Sequence, residues 1–330
     1  MVERARRRWI SRIPWLLLLL AGADLVALKA ELLNHRSEVL AVLFGLTAVI
    51  FVIRWIQLLQ LVASGPRQGR QLGELLTVSG LLLALAGGST NWLLSLQGYV
   101  ILVEGDSVVL NSGGQLQDFT AGPLARLEEL GITIALGELE LVATGQGRFY
   151  PASRIRVETE GEPPDELEVT PHTEAEYGPL RFHQGAFGFA PRIVILQGEE
   201  PTREVFDRVV PFLTQRQGEA GVAFDGSFDL ESESLRVVGM VDLESLDEGM
   251  RGHSTLQLAV EKAGQPLGEG QLLPGHFATI DEGYSVGFAG LEKWSEIVVS
   301  RRNYGFLVLA GTGLALLGGV LWALAGWRER

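Results

Sequence analysis

LGELLTVSGLLLALAGGSTNWLLSLQGYVILVEGD, residues 72–106, changes character partway along. From Leu75 to Leu96 it is apolar or small with no charge, close to the ~20 residues with which a helix crosses ~30 Å of hydrocarbon. From Gly98 it becomes GYVILVEG, a β-branched and aromatic run closed by glycine, which reads as a strand. The passage predicts a helix feeding directly into a sheet. The rest of the chain follows one pattern or the other.

Three further stretches share the apolar pattern: Ile10–Leu28, Val39–Ala63 and Tyr304–Trp327. Backbone polar groups find no water in lipid, so each is expected to span as an α-helix. The predicted organisation has three parts. Residues 1–97 hold three transmembrane helices (about 10–28, 39–63 and 75–96), 98–303 form a domain, and 304–330 are the fourth helix with a short basic tail. Arg4, Arg6, Arg7, Arg8 and Arg12, then Arg67 and Arg70, then Arg328 and Arg330 all fall on one side of four spans. Basic flanks mark the cytoplasm, so both termini are expected inside and the 98–303 domain outside, in a cell inner or cytoplasmic membrane. Arg301 and Arg302 fall on the outer side. RARRRW, IPWLLLLL and AGA before Asp24 also fit a cleavable signal peptide, which would leave the other three orientations unchanged.

Charge supports this division. Residues 98–302 hold 34 Asp and Glu against 15 Lys and Arg, so the acidic net charge of -13 is concentrated there. Such a domain repels nucleic acid. The chain has 0 Cys, which excludes disulfides, thiol nucleophiles and cysteine metal sites.

Asp24, Arg54 and Glu74 lie in or beside the predicted spans, where ionisable residues are functional candidates. At 1.5 Å per residue Arg54 sits about 8 Å from the inner face. That depth suits an ion pair with Glu74, and it also suits an arginine snorkelling to the headgroups. Gly80, Ala84 and Gly88, and likewise Gly311, Ala315 and Gly319, are spaced by four. Small stripes allow close helix approach, either within this chain or to a second membrane protein.

The outside domain reads as a mainly antiparallel, sandwich-like β domain. GYVILVEG, GITIALGELELVAT, SRIRVETE, ELEVT, PRIVILQG, SLRVVGMVDL, STLQLAVE and SEIVVS have strand character. One amphipathic helix is predicted at Thr202–Gln217, with Val205, Val209 and Phe212 on its apolar side and Pro211 bending or breaking it. GEPPDELE, 161–168, reads as a solvated acidic loop. LRFHQGAFGFAPR, 180–192, holds no acid and reads as a buried hairpin. Alternation sends Phe182 and His183 to opposite faces, while Phe187 and Phe189 share one. The three Phe are candidates for core packing or partner contact. No GxSxG, HExxH, Walker loop or post-strand GxGxxG occurs, and His35, His172, His183, His253 and His276 are too dispersed for a local metal pair.

Three spans, a β-rich outside domain and a final span together resemble the ResB family, also called CcsB. LGELLTVSGLLLALAGG with LQGYVILVEGD resembles that family's third span and the strand leaving it. GPLRFHQGAFGFAPRIVIL resembles its paired strands, and GFAGLEKWSEIVVSRRNYGFLVLAGTGLALLGGVLW its closing strand and fourth span. The resemblance covers most of the chain after residue 70. It implies an accessory, non-catalytic subunit of system II cytochrome c maturation. Such a subunit acts with a multi-span ResC/CcsA-type partner in delivering haem to an apocytochrome c. Family members commonly carry a haem-ligating His within a span. This sequence departs there, with Thr77, Val78 and Ser79 near the expected place and no His in any of the four spans. His183, and His35 at the outer end of the first hairpin, are the remaining candidate haem ligands. The alternative is a membrane-anchored assembly module that keeps the scaffold without haem.

Overall fold

The computed structural model describes residues 37–63, 69–110, 113–127, 131–143, 149–159, 161–198, 203–217, 222–243, 254–281, 283–301 and 304–328. The apolar stretch Ile10–Leu28, Asp24, His35 and His253 lie outside them. The chain divides into a helical unit, Met1–Leu93 with Asn303–Arg330, and a β unit, Leu94–Arg302.

The helical unit contains α1 (Ser37–Ala63), α2 (Gly69–Leu94) and α3 (Gly305–Arg328). Among the described residues α2, and α3 over Gly305–Trp327, are long and apolar enough to cross a membrane. Leu96, predicted as the end of the third span, belongs instead to the first strand. Phe51 and Leu58 of α1 bury against Val78 of α2. The α2–α3 contact is closer still, because glycines meet backbone. A Cβ on Gly73 would lie 2.5 Å from the Trp322 nitrogen, one on Gly80 2.9 Å from the Ala315 Cα, and one on Gly87 2.7 Å from the Leu307 Cβ. Gly311 and Gly318 oppose Gly80 and Gly73 from α3.

The four-residue stripes are thus corrected at their ends. Gly80 and Gly311 are in the contact, but a Cβ on Gly88 or Gly319 would meet nothing within 4 Å. A step of four rotates an α-helix by about 40°, so two steps leave the interface, whereas a step of seven drifts only ~20°. The working stripe is therefore Gly73, Gly80 and Gly87.

The β unit forms three antiparallel sheets, with strands numbered in chain order. The seven-stranded sheet runs β3 (Gln117–Ala121), β1 (Leu96–Val103), β16 (Tyr284–Arg301), β8 (Leu180–Gln197), β7 (Ala175–Tyr177), with β15 (His276–Asp281) on β16 and β9 (Arg203–Val209) on β8. The four-stranded sheet runs β2 (Ser107–Leu110), β4 (Ile132–Ala143), β5 (Phe149–Thr159), β6 (Asp165–Val169). The five-stranded sheet runs β10 (Thr214–Gln217), β11 (Val222–Leu230), β12 (Leu235–Leu243), β13 (Ser254–Lys262), β14 (Gln265–Leu272). The eight expected strands all occur, as β1, β4, β5, β6, β8, β12, β13 and β16. Alternation sets their burial. In β12, Leu235, Val237, Val241 and Leu243 face the core while Arg236 and Val238 stay exposed. In β4 the phase shifts at Gly137, where the register to β5 slips, so Ile132, Ile134 and Leu136 bury before it and Leu139 after it.

Three expectations are overturned. Thr202–Gln217 is not a helix: its described part forms β9 and β10 with a non-helical link between them. The register to β8 slips at Val205, an extra residue that breaks the two-residue period and brings Val205 and Phe206 both against the core. Pro211, lacking an N–H, falls in the link. LRFHQGAFGFAPR is not a hairpin but most of one continuous strand, β8, 18 residues long. Within GEPPDELE, Asp165–Glu168 pair with β5 as part of β6.

β8 and β16 pair from Leu180 with Arg301 to Gln197 with Tyr284, a ribbon shared by two cores. Phe189, Ile193 and Ile195, with Tyr284, Val286 and Phe288, pack with the five-stranded sheet. Leu180, Phe182, Ile297 and Val299, with Leu96, Val100 and Leu102, pack with the four-stranded sheet.

Candidate functional site

The 180–192 stretch crosses the middle of the ribbon, where the two cores meet. Ser153 of β5, Gln184 and Ser295 form a buried polar triad there. The Ser153 hydroxyl lies 2.6 Å from Gln184 Oε1 and 2.8 Å from Ser295 Oγ, and Gln184 Nε2 donates to Ser295 Oγ at 2.8 Å. All three are at most 2 % exposed, so the bonds replace the water that these groups lose. Next to the triad, a Cβ on Gly188 would lie 2.7 Å from Trp294 Nε1. That indole N–H donates to the Phe212 carbonyl at 3.1 Å. Gly185 and Gly188 give room to the Glu296 and Trp294 side chains.

The three Phe separate. Phe182 is fully buried in one core, and Phe189 in the other, edge-on to Phe224 at 5.2 Å between centroids. Phe187, expected to share a patch with Phe189, is half-buried and belongs to neither core. The slip in register between Ser295 and Ile297 lengthens β8 locally and separates the two phenylalanines from the run that precedes them.

His183 stands opposite Val298, which on its other side stands opposite Tyr99, so the three form a row across β8, β16 and β1. The next row holds Ile101 and Glu296. The His183 ring Nδ1 is buried and has no hydrogen-bond partner among the described residues. Burial, then the Asp118 and Glu296 carboxylates, push the Tyr99 phenol up from its ordinary value. Asp118 takes a left-handed φ of 47°, which a short polar side chain tolerates. The two rows together bring an unpartnered imidazole nitrogen, a phenol hydroxyl and a carboxylate to one part of the sheet. No group of three metal-binding side chains occurs among the described residues. Sequence reasoning singled out His183 but missed Tyr99 and Glu296, because only strand register brings them beside it.

Within the helical unit, Arg54 Nη2 and Nε both donate to Glu74 Oε1, the latter at 3.2 Å. The side chains are 18 % and 23 % exposed, so the arginine is paired rather than extended alone along the helix. Trp55, next to Arg54 on α1, donates its Nε1 hydrogen to Ser79 Oγ of α2 at 3.0 Å. Thr77, where the haem-ligating His of the resembled family was expected nearby, donates to the Gly73 carbonyl at 2.8 Å. Its hydroxyl therefore serves the helix itself. Compared with protein-family models and with curated proteins, the chain matches none, so the functional reading rests on its own residues.

Proposed function

We propose that the chain is a membrane-anchored assembly subunit that presents an acidic β unit outside the cytoplasm. The observation that carries this is α2 and α3: each holds a stretch apolar enough to cross a membrane, yet only 22 % and 11 % of those stretches are buried. A core helix of a soluble protein would be covered. These two leave their apolar sides for lipid. The Gly-lined contact between them suits helix association in lipid, where packing rather than the hydrophobic effect holds helices together. With α1 and the Ile10–Leu28 stretch, the reading is of four spans with both termini inside.

The process served, on the resemblance of the third span, the ribbon strands and the closing strand, is system II cytochrome c maturation. The partner is then a ResC/CcsA-type multi-span protein, and the acidic unit holds basic segments of an apocytochrome c through charge complementarity. His183 is the residue of the β unit that would hold the haem iron, since its ring Nδ1 lacks a partner among the described residues. A second reading, the same scaffold without haem, is favoured by the absence of any His in α1, α2 and α3.

The test is a mild-detergent pull-down of the tagged chain from native membranes, with mass spectrometry of its partners and a haem assay of the complex. A multi-span haem-handling partner supports the maturation role. Its reproducible absence, with another membrane complex in its place, refutes that role and leaves a membrane assembly subunit. Haem that survives His183→Ala refutes His183 as its ligand.

A further inference from the structure

β9 ends the seven-stranded sheet on one side, since among the described residues it is hydrogen-bonded to β8 alone. Between it and the end of β11 lies a cleft of about 380 Å³, lined by Glu204, Val205, Phe206, Asp207, Arg208, Asp229, Leu230 and Ser232. Its apolar lining follows from the extra residue at Val205, which turns Val205 and Phe206 to the same side. Phe206 is held by a stack on Phe228, with centroids 4.6 Å apart and planes 13° from parallel.

The charged lining is unequal. Asp207 is already clamped by Arg192, each of its oxygens accepting at 2.8 Å. Glu204 and Asp229 form no ion pair among the described residues, and Arg208 is the one cation among the lining residues. The adjoining 3-10 turn, Glu231–Glu233, adds acid and no base. Glu204 lies near enough to Arg192 to add to the rise of its guanidinium above the ordinary value, yet an aromatic ring with two carboxylates outside any ion pair beside it is chemistry for a cation on an apolar stem. Phe206 and Leu230 line the cleft for such a stem, and Glu204 and Asp229 line it for the charged head. An anion would meet these carboxylates, and a wholly apolar ligand would strip them of water.

We propose that this cleft seats a Lys or Arg side chain of an extended basic polypeptide. The inference deepens the preceding reading, on which it rests for there being a polypeptide partner, by naming where on the β unit that partner is gripped.

The test uses the full chain in detergent and a fluorescent peptide of alternating Lys and Ala, with binding followed by anisotropy at low salt. The paired substitution Glu204→Gln with Asp229→Asn is expected to weaken binding about tenfold, as loss of charge-assisted bonds does. The pair Glu166→Gln with Glu168→Gln removes the same charge from β6 and is expected to change binding less than about twofold. Phe206→Leu keeps the apolar volume and is expected to weaken binding about threefold through loss of the ring face. Equal weakening by the two carboxylate pairs would mean that only the diffuse field attracts the peptide, and would overturn the proposal. So would the absence of binding by the unaltered chain. A pull-down that retrieves the haem-handling partner while the cleft variants bind peptide normally sinks the cleft and leaves the maturation reading. Cleft-dependent peptide binding without that partner does the reverse.

Discussion

Gly188→Ala tests the junction of the two cores. The new methyl carbon would lie 2.7 Å from Trp294 Nε1 and 2.8 Å from Cε2 and Cζ2. Carbon contacts settle near ~3.5–4.0 Å, so the indole must retreat by about 1 Å. It has little room: it is 2 % exposed and its N–H is tied to the Phe212 carbonyl. Phe212 is itself wedged over Gly226 and Gly239. Overpacking of this kind costs about 1–3 kcal/mol. Trp294→Phe loses the hydrogen bond and leaves a buried carbonyl unpaired, for about 1–3 kcal/mol. It also removes the ring edge that the methyl would strike. The double variant should then cost little more than Trp294→Phe alone, a coupling of about 1–3 kcal/mol. Hydrogen exchange with mass spectrometry on the full chain in detergent reads the opening free energy of β8 and β16 peptides. If the two single costs add to within about 0.5 kcal/mol, the proposed clash does not exist.

The helix contact can be trapped covalently. Gly69→Cys with Ala325→Cys should cross-link on oxidation, since a Cβ on Gly69 comes 3.1 Å from that of Ala325 and the chain has 0 Cys of its own. Peptide mapping should show the link lost in Gly80→Leu and kept in Gly88→Leu. Arg54→Gln leaves the Glu74 carboxylate unpaired and should lower the melting temperature in detergent, at a cost of up to about 3 kcal/mol, more than the double substitution with Glu74→Gln. Burial raises the Glu292 carboxyl above its usual value against the pull of Arg192, with Asp106 and Glu104 adding to the rise. The folded state therefore holds that proton more tightly than the unfolded one, and loses stability as pH climbs from the unfolded value through the folded one. Glu292→Gln should be more stable than the unaltered chain at neutral pH and no different well below the carboxylate range. A melting series against pH that shows no such crossover contradicts this. Asp207 has the opposite sign: its hydrogen bonds from Arg192 hold it low. Its contribution is present at neutral pH and lost on acidification through the lowered value, so Asp207→Asn should flatten the acid limb of the same series.

The parts of this fold that sequence could reveal are those where one residue's neighbours in the chain are also its neighbours in the periodic pattern. The run from Leu235 to Leu243 alternates cleanly and is a strand. The uncharged run after Glu74 is a helix for want of any other way to hide its backbone. One failure comes from a bulge that changes the period. Val205 and Phe206 side by side, with Val209 and Phe212 following, count as one helix face unless the slip against β8 is known. What Gly185 and Gly188 make room for is hidden from the sequence, because their partners, Glu296 and Trp294, lie about a hundred residues away and meet them only through the β8–β16 pairing. The candidate row shows the same limit. His183 could be named for its side chain, but Tyr99 and Glu296 stand near it by register alone. The Arg54–Glu74 contact was legible because depth along a helix is simple arithmetic.

The pairing of β1 with β16 sets a timetable for biogenesis. The strand that opens the β unit stays without its partner until the strand that closes it has been made, and β8 waits for the same strand. Both cores include residues of β16, so neither closes earlier. At about 5–20 residues per second, the roughly 200 residues from β1 to β16 leave the nascent unit incomplete for tens of seconds. During that time its apolar strand faces are available to chaperones and proteases. A ribosome that stalls before Tyr284 would leave a chain missing part of both cores, so quality control meets a single checkpoint in this unit, placed just before α3 of the helical unit is made.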